Sequence, residues 1–377
     1  CLRTRRRYFA SDHRSTCRNH TSIFLWSIGN EVDYPNDPYS HPILNSSSKS
    51  HPMFGGYHPD APDAMRIGKI AKRLVACVRA VDTSRPTTGA LAGVVMSNET
   101  EYPDAVDVVG YNYTENRYDM DHVTYPKRVI YGSENGRSRN AWLAVRDKDF
   151  IFGQFIWTGT DYLGESGPWP SRGLGTGLLD FASFPKPNGY FRASMWSTSP
   201  MTYIGTYPVP APRNGNGRTF LSPDALDTWN YSLEQKIRVV CYTNAAQARL
   251  LLNGKEVGEM KPYDDVSGII WWDIPFRPGT LKAEGCDKDG NVISEYSITT
   301  SGRPYALRVI SDCSELSKDK ATEHIIVTVV DENGVMVKLA DNNITCTVDG
   351  PAKLLGLEGA DSSYGPEPTT SESQDHG

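Results

Sequence analysis

The hydrophobic positions of this chain follow two regimes. Up to about residue 200, short apolar runs alternate with polar or helix-patterned stretches. Runs at 23–28, Thr87–Leu91, 106–113, 128–133 and 150–157 predict five strands. Between the first two, residues 63–81 carry Ile67, Ile70, Ala71, Leu74, Val75 and Val78 at helical spacing, which predicts an amphipathic helix. Residues 140–148 predict another helix, and 35–60, rich in Pro, Ser, His and Gly, a long loop. Strands alternating with helices predict a parallel sheet, and a closed β/α barrel is its commonest ring form. A barrel closes with eight strands, so the other three are expected upstream of Cys1.

Beyond residue 200 the pattern changes. Residues 201–228, rich in Pro, Gly and Asn, predict a linker. Short alternating runs follow at Lys236–Thr243, 248–252, 268–274, Thr280–Cys286 and Val292–Thr299, with a hairpin signal at Asn253-Gly254. These predict a β-sandwich over 229–302. Runs at Ala306–Ser311, 324–330, 343–348 and 352–357 predict a second, shorter sandwich over 303–360, and 361–377 a flexible tail.

Composition narrows the function. Hydrophobic residues make up 38% and charged residues 22%, which suits a globular chain. The net charge of −6 comes without any basic stripe, so no nucleic-acid partner is expected. No apolar run approaches the roughly 18 residues of a membrane span. The seven cysteines are odd in number and form no CxxC, which suggests neither a disulfide framework nor a zinc site. Asn-x-Ser/Thr matches at Asn19, Asn45, Asn98, Asn112, Asn230 and Asn343 are no guide, since Asn112 falls in a predicted strand.

The chemistry is concentrated where two apolar runs stop at a carboxylate. One is Trp26-Ser27-Ile28-Gly29-Asn30-Glu31, the other Tyr131-Gly132-Ser133-Glu134. A buried strand ending this way delivers an acid to the mouth of a barrel. A pair of such acids is the machinery of glycoside hydrolysis. Either glutamate alone would read more readily as a surface residue ending a strand than as a catalytic acid.

Three segments in order carry a family resemblance. The chain's Trp26-Ser-Ile-Gly-Asn-Glu31 resembles the acid/base signature of glycoside hydrolase family 2. Tyr131-Gly-Ser-Glu134-Asn-Gly resembles its nucleophile segment, and Phe155-Ile-Trp157-Thr-Gly-Thr-Asp161-Tyr-Leu-Gly-Glu165 the strand and loop that follow. The resemblance implies the C-terminal part of a TIM-barrel domain over 1–200, then two immunoglobulin-like sandwiches, with the family's N-terminal domains and first barrel strands upstream. It implies a retaining exo-glycosidase acting on terminal β-D-galactosides, with Glu31 as general acid/base and Glu134 as nucleophile.

For the sugar, the resemblance implies contacts from Asn30 to the 2-hydroxyl, from Tyr113 to the nucleophile and from Trp157 to the ring face. Asp161, Glu165 and Trp169 join the substrate-binding set as loop residues that could instead brace or pack the loop. Tyr111 and Tyr113 are expected on one strand face by the period of two. No cofactor is required, although relatives can use Mg²⁺ near the acid/base; His41, His51 and His58 show no tight metal spacing. The partner is an oligosaccharide or β-galactoside, a homo-oligomer is possible, and the resemblance leans towards a periplasmic or secreted bacterial protein. β-Glucuronidase and β-mannosidase are alternatives within the family. A glucuronidase needs a cation for the substrate carboxylate, yet Phe184-Pro-Lys186-Pro-Asn188 reverses the family's Asn-x-Lys order. A further alternative is a carbohydrate-binding or structural piece without turnover.

Overall fold

The computed structural model describes residues 20–46, 55–210, 220–313, 315, 317 and 321–359, and the backbone of 372–373. The chain divides into two compact units, Cys1–Trp157 and Thr158–Gly377.

The first unit is built on five strands: β1 (Trp26–Asn30), β2 (Thr87–Leu91), β3 (Val108–Asn112), β4 (Ile130–Asn135) and β5 (Ile151–Ile156). They hydrogen-bond in sequence order and every pairing is parallel. Each connection is therefore a crossover: after β1, β3 and β4 through helices α1 (Met65–Arg79), α2 (Tyr118–Thr124) and α3 (Arg139–Arg146), and after β2 through two four-residue helical turns, Val94–Ser97 and Tyr102–Ala105. The five predicted strands are all present, with ends displaced by a few residues.

Helix α1 buries a narrower stripe than predicted. Ile67, Ala71 and Val75 enter the core beside Leu91, Val109, Ile130 and Ile151, whereas Ile70 and Leu74 remain exposed. Gly68 is buried on this face against Glu101, where an added Cβ would come within 2.8 Å of the Glu101 side chain. The buried line is the i, i+4, i+8 set of Ile67, Ala71 and Val75. Full burial of a side chain such as Ile67 or Val75 is worth roughly 1.5–3 kcal/mol. Helix α3 begins at Ser138, whose hydroxyl accepts from the Ala141 amide.

The sheet is strongly curved. Phe24, just before β1, stacks on Phe155 of β5 with ring centroids 6.5 Å apart. Four strand intervals in a flat sheet would separate those strands by roughly 19 Å. Tyr131 of β4 packs against Phe152 and Phe155 on the same face.

The second unit is antiparallel. Strands β6 (Tyr162–Leu163) and β7 (Gly173–Leu174) form a small hairpin, followed by α4 (Pro187–Trp196). Then come β8 (Thr202–Pro208), β9 (Lys236–Thr243), β10 (Gln247–Leu252), β11 (Ile270–Pro275), β12 (Thr280–Cys286) and β13 (Val292–Thr299). One sheet runs β11-β9-β8 and the other contains β10-β12-β13. Their facing sides share one core, in which Ile237, Val239, Trp272 and Ile274 meet Leu250, Leu281, Ala283 and Ile298. The opposite face of β9 is also covered, because Val240 and Tyr242 pack with Tyr203 of β8 and Phe191 of α4. A strand buried on both faces favours a continuous apolar run, seen here only over 239–242, because the alternation that Lys236 and Arg238 begin stops there.

The predicted linker over 201–228 needs correction. Its first part is β8, which pairs with β9 from Thr202↔Thr243 to Pro208↔Ile237. Local Pro and Gly content suggested a break, but Tyr203 and Ile204 are buried by tertiary packing. Residues 211–219, in the Pro- and Gly-rich stretch, lie outside the described residues.

In 303–360 the expected second sandwich is only sketched. Strands β14 (Ala306–Ser311) and β15 (Ile325–Val330) pair as a hairpin. Another strand is Ile344–Thr345, and 352–357 forms no regular element. The tail over 361–377 lies outside the described residues apart from the backbone of 372–373.

Candidate active site

The C-terminal ends of β1, β3, β4 and β5 carry the polar groups. Glu31 directly follows β1, and its backbone amide donates to the Ala90 carbonyl at 2.8 Å. Tyr113 directly follows β3, and its amide donates to the Glu134 carbonyl at 2.8 Å. Trp157 follows β5, and its amide donates to the Asn135 carbonyl at 3.1 Å. The sheet ladder thus reaches one residue past each strand and fixes the backbone under the side chain.

Two of these residues adopt left-handed backbone conformations, Glu31 at φ 53° and Tyr113 at φ 52°. Such geometry in a residue with a Cβ costs on the order of 1–3 kcal/mol and persists only where its surroundings impose it. Asp33 imposes part of it. Its buried carboxylate accepts from the Ala92 and Gly93 amides, each at 3.0 Å, and from the Ser97 hydroxyl at 2.6 Å. Burial pushes the Asp33 carboxyl above the usual carboxylate range, against the lowering effect of these hydrogen bonds. The turn after Glu31 is thereby tied to the segment after β2.

The left-handed turn at Tyr113 also corrects the expectation that Tyr111 and Tyr113 share a face. Tyr111 is buried in the core and its hydroxyl donates to Asp121 at 2.7 Å. Tyr113 lies beyond the strand end, half exposed, and its hydroxyl hydrogen-bonds Glu134. Partial burial, the Glu134 hydrogen bond and the charges of Glu134, Glu31 and Glu115 together hold the Tyr113 phenol well above its ordinary pKa.

The two glutamates meet at a residue that sequence reasoning missed. Asn112 Nδ2 lies 3.0 Å from Glu31 Oε1, 3.3 Å from Glu134 Oε2 and 3.0 Å from Asn30 Oδ1. These first two lengths together cap the separation of the two carboxylate oxygens at 6.3 Å. Asn112 is buried, and Ser133 Oγ donates to its Oδ1 at 2.6 Å. Room for Ser133 comes from Gly110, where a Cβ would stand 2.4 Å from the Ser133 oxygen. The available signal was Asn112 itself, a polar residue closing an apolar run just as Asn30 and Glu31 do. Only the register, Asn112 opposite Glu134, turns that signal into a contact.

Asn30 is exposed beside the pair, and Trp157 is 37% exposed at the end of β5. The remaining expected residues belong to the second unit. Asp161 is a buried brace: its Oδ1 accepts from the Gly177 amide at 2.6 Å, and Lys186 Nζ lies 3.0 Å from both carboxylate oxygens. Glu165, at φ 48°, accepts from the Tyr162 hydroxyl. Trp169 is 83% exposed in the loop between β6 and β7. Among the described residues, no three His, Cys, Asp or Glu side chains cluster to hold a metal ion. His41 instead accepts from the Ile43 amide through Nδ1 at 3.2 Å.

Residues 307–375 match the family described as glycoside hydrolase family 2 C-terminal domain 5, and 234–294 match a domain of unknown function, DUF4982. The chain is 29% identical to the β-galactosidase BoGH2A of Bacteroides ovatus, over 90% of this chain and 44% of that protein. A crystal structure of a glycosyl hydrolase family 2 member from Bacteroides cellulosilyticus superimposes with a TM-score of 0.77 at 27% identity, covering 98% of this chain and 47% of the other. Over almost its whole length the chain is thus similar to proteins of glycoside hydrolase family 2. A putative β-glucuronidase of Formosa agariphila is 26% identical over 90% of this chain and 34% of its own length. The chain thus spans less than half the length of the curated relatives it matches. Among its described residues, no helix is long and apolar enough to cross a membrane.

Proposed function

We propose that Glu31 and Glu134 are the acid/base and the nucleophile of a retaining exo-glycosidase acting on terminal β-D-galactosides. The observation that carries this reading is the single amide nitrogen of Asn112 bonded to both carboxylates, with its 6.3 Å ceiling on the oxygen separation. Retaining enzymes hold their carboxyls roughly 5–5.5 Å apart, and inverting enzymes roughly 6.5–9.5 Å. In the first step Glu31 gives its proton to the glycosidic oxygen while a Glu134 oxygen attacks the anomeric carbon. The C–O bond to the leaving alcohol breaks and a glycosyl ester forms. Water then attacks that carbon, gives its proton to Glu31 and releases Glu134 as carboxylate.

The surroundings suit these roles. Tyr113 donates to Glu134 and favours its ionised form. Asn30 stands beside the acid, where an amide can bond the sugar 2-hydroxyl, and Trp157 offers a flat face to the ring. We read Asp161 as a brace for its loop, because Lys186 and Gly177 occupy its carboxylate. The curl of β1–β5 and the position of the acids at the strand ends support a partial (β/α)8 barrel. Two antiparallel sheets over one core support an immunoglobulin-like sandwich.

Galactoside is favoured over glucuronide by one feature. Lys186, the cation nearest in type to a uronate-binding lysine, is held by Asp161 and by the Gly175 carbonyl at 2.9 Å. The glucuronide reading draws on the relative of that name. The test is hydrolysis of nitrophenyl β-galactoside, β-glucuronide and β-mannoside by the complete natural polypeptide. Dominant galactoside turnover with a product of retained configuration supports the proposal. Glucuronide preference moves the specificity to the alternative, and no turnover of any glycoside leaves a carbohydrate-binding piece.

A further inference from the structure

We propose that Asn112 is a positioning residue that serves both carboxylates in turn, its amide donor following the negative charge from Glu134 to Glu31 during the cycle. The inference rests on the assignment of Glu31 and Glu134 made above. Asn112 Nδ2 carries two hydrogens and faces three acceptors, Glu31 Oε1, Asn30 Oδ1 and Glu134 Oε2, at 3.0, 3.0 and 3.3 Å. Two hydrogens cannot serve three oxygens fully, so the amide must favour the acceptors that carry charge, since a bond to an ionised acceptor is about twice as strong.

The charge moves within the cycle. Before the first step Glu134 is the anion and Glu31 holds the proton. In the glycosyl ester Glu134 has lost its charge and Glu31 is the anion awaiting a proton from water. A donor placed between them stabilises each anion at the stage that requires it, with a change of hydrogen-bond angle and no movement of the backbone. The amide cannot turn its oxygen towards the acids, because Ser133 Oγ donates to Oδ1 at 2.6 Å and fixes the orientation. Gly110 leaves the space for that serine. Tyr113, bonded to Glu134, and Glu115, close enough to act on Tyr113, are titratable groups beside the pair. Neither offers one donor to both acids.

The test uses Asn112→Leu, which keeps the volume and removes the donor, and Ser133→Ala, which removes only the lock. Both are made in the complete natural polypeptide, beside Glu134→Gln. For Asn112→Leu, kcat/KM should fall about 10²-fold, as on loss of one preorganised donor. Both limbs of its pH profile should move up by about half a unit or more, because each anion loses a hydrogen bond. Single-turnover and burst kinetics should show the glycosylation and deglycosylation steps both slowed. Ser133→Ala should give the same changes at about a tenth of the rate effect or more mildly, which preserves the test if Asn112→Leu does not fold. Unmoved limbs, or slowing of one half-reaction alone, overturns the inference while loss of activity in Glu134→Gln keeps the acid assignment. Wild-type rates in Glu134→Gln would instead remove the assignment on which it rests.

Discussion

The strand ends of the first unit and the two packed sheets of the second treat charge in opposite ways. In the second, a buried charge is met by a full opposite charge. Arg238 grips Asp273 with two bonds of 2.7 Å across β9 and β11, and Arg249 bonds Glu284 at 2.6 Å across β10 and β12. Such pairs answer the desolvation of each partner and fix register. At the ends of β1, β3 and β4, two carboxylates share the neutral amide of Asn112, and two neighbouring residues hold left-handed backbones. The first arrangement is settled in one protonation state. The second leaves each acid able to change its proton, which is what general acid/base work requires. The paired charges thus fix register, while the carboxylates at the strand ends keep the ability to exchange protons.

Substitutions should separate the two. Glu134→Gln should lower kcat by roughly 10⁴-fold, about 5 kcal/mol of transition-state stabilisation, with little change in melting temperature; a melting temperature that falls as steeply as the rate would break the comparison. Glu31→Gln should lose about 10²- to 10⁴-fold on a poor leaving group and much less on dinitrophenyl glycosides, whose departure needs no proton. Steady-state rates on the two substrate types measure this directly.

The converse holds in the second unit. Trp272, 3% exposed between the two sheets, should cost about 3–5 kcal/mol as Trp272→Ala in urea unfolding. Leu307→Ala on β14, where the side chain is 52% exposed, should stay within about 0.5 kcal/mol. Equal losses at the two positions would show that 306–330 packs as a core in solution.

The smallest expected effect is a pH effect at the start of β1. Hydrogen bonds from Ser84, Trp26 and Arg85 hold the Asp82 carboxyl below the usual carboxylate range. A depressed acid stabilises the fold above its unfolded value of about 3.9 and loses that contribution as pH falls below it. Asp82→Asn should flatten the acid side of the stability curve, read through melting temperature from about pH 6 down to about pH 3. A curve as steep as that of the wild type would assign the acid sensitivity elsewhere.

Pattern alone determined which segments become strands in the first unit, that α1 is amphipathic, and which two glutamates close apolar runs. Those features are local: they follow from periodicity and from residues adjacent in the chain. Tertiary structure decided what depends on neighbours distant in sequence. It turned the Pro- and Gly-rich start of 201–228 into β8, because the paired β9 and the cover of α4 outweigh local breaking signals. It set Tyr111 and Tyr113 apart through a left-handed turn that no period of two anticipates. It also chose Asn112, 81 residues from Glu31 and 22 from Glu134, as the donor common to both acids. Sequence order cannot express that contact, since strand register and sheet curl alone bring the three side chains to one point.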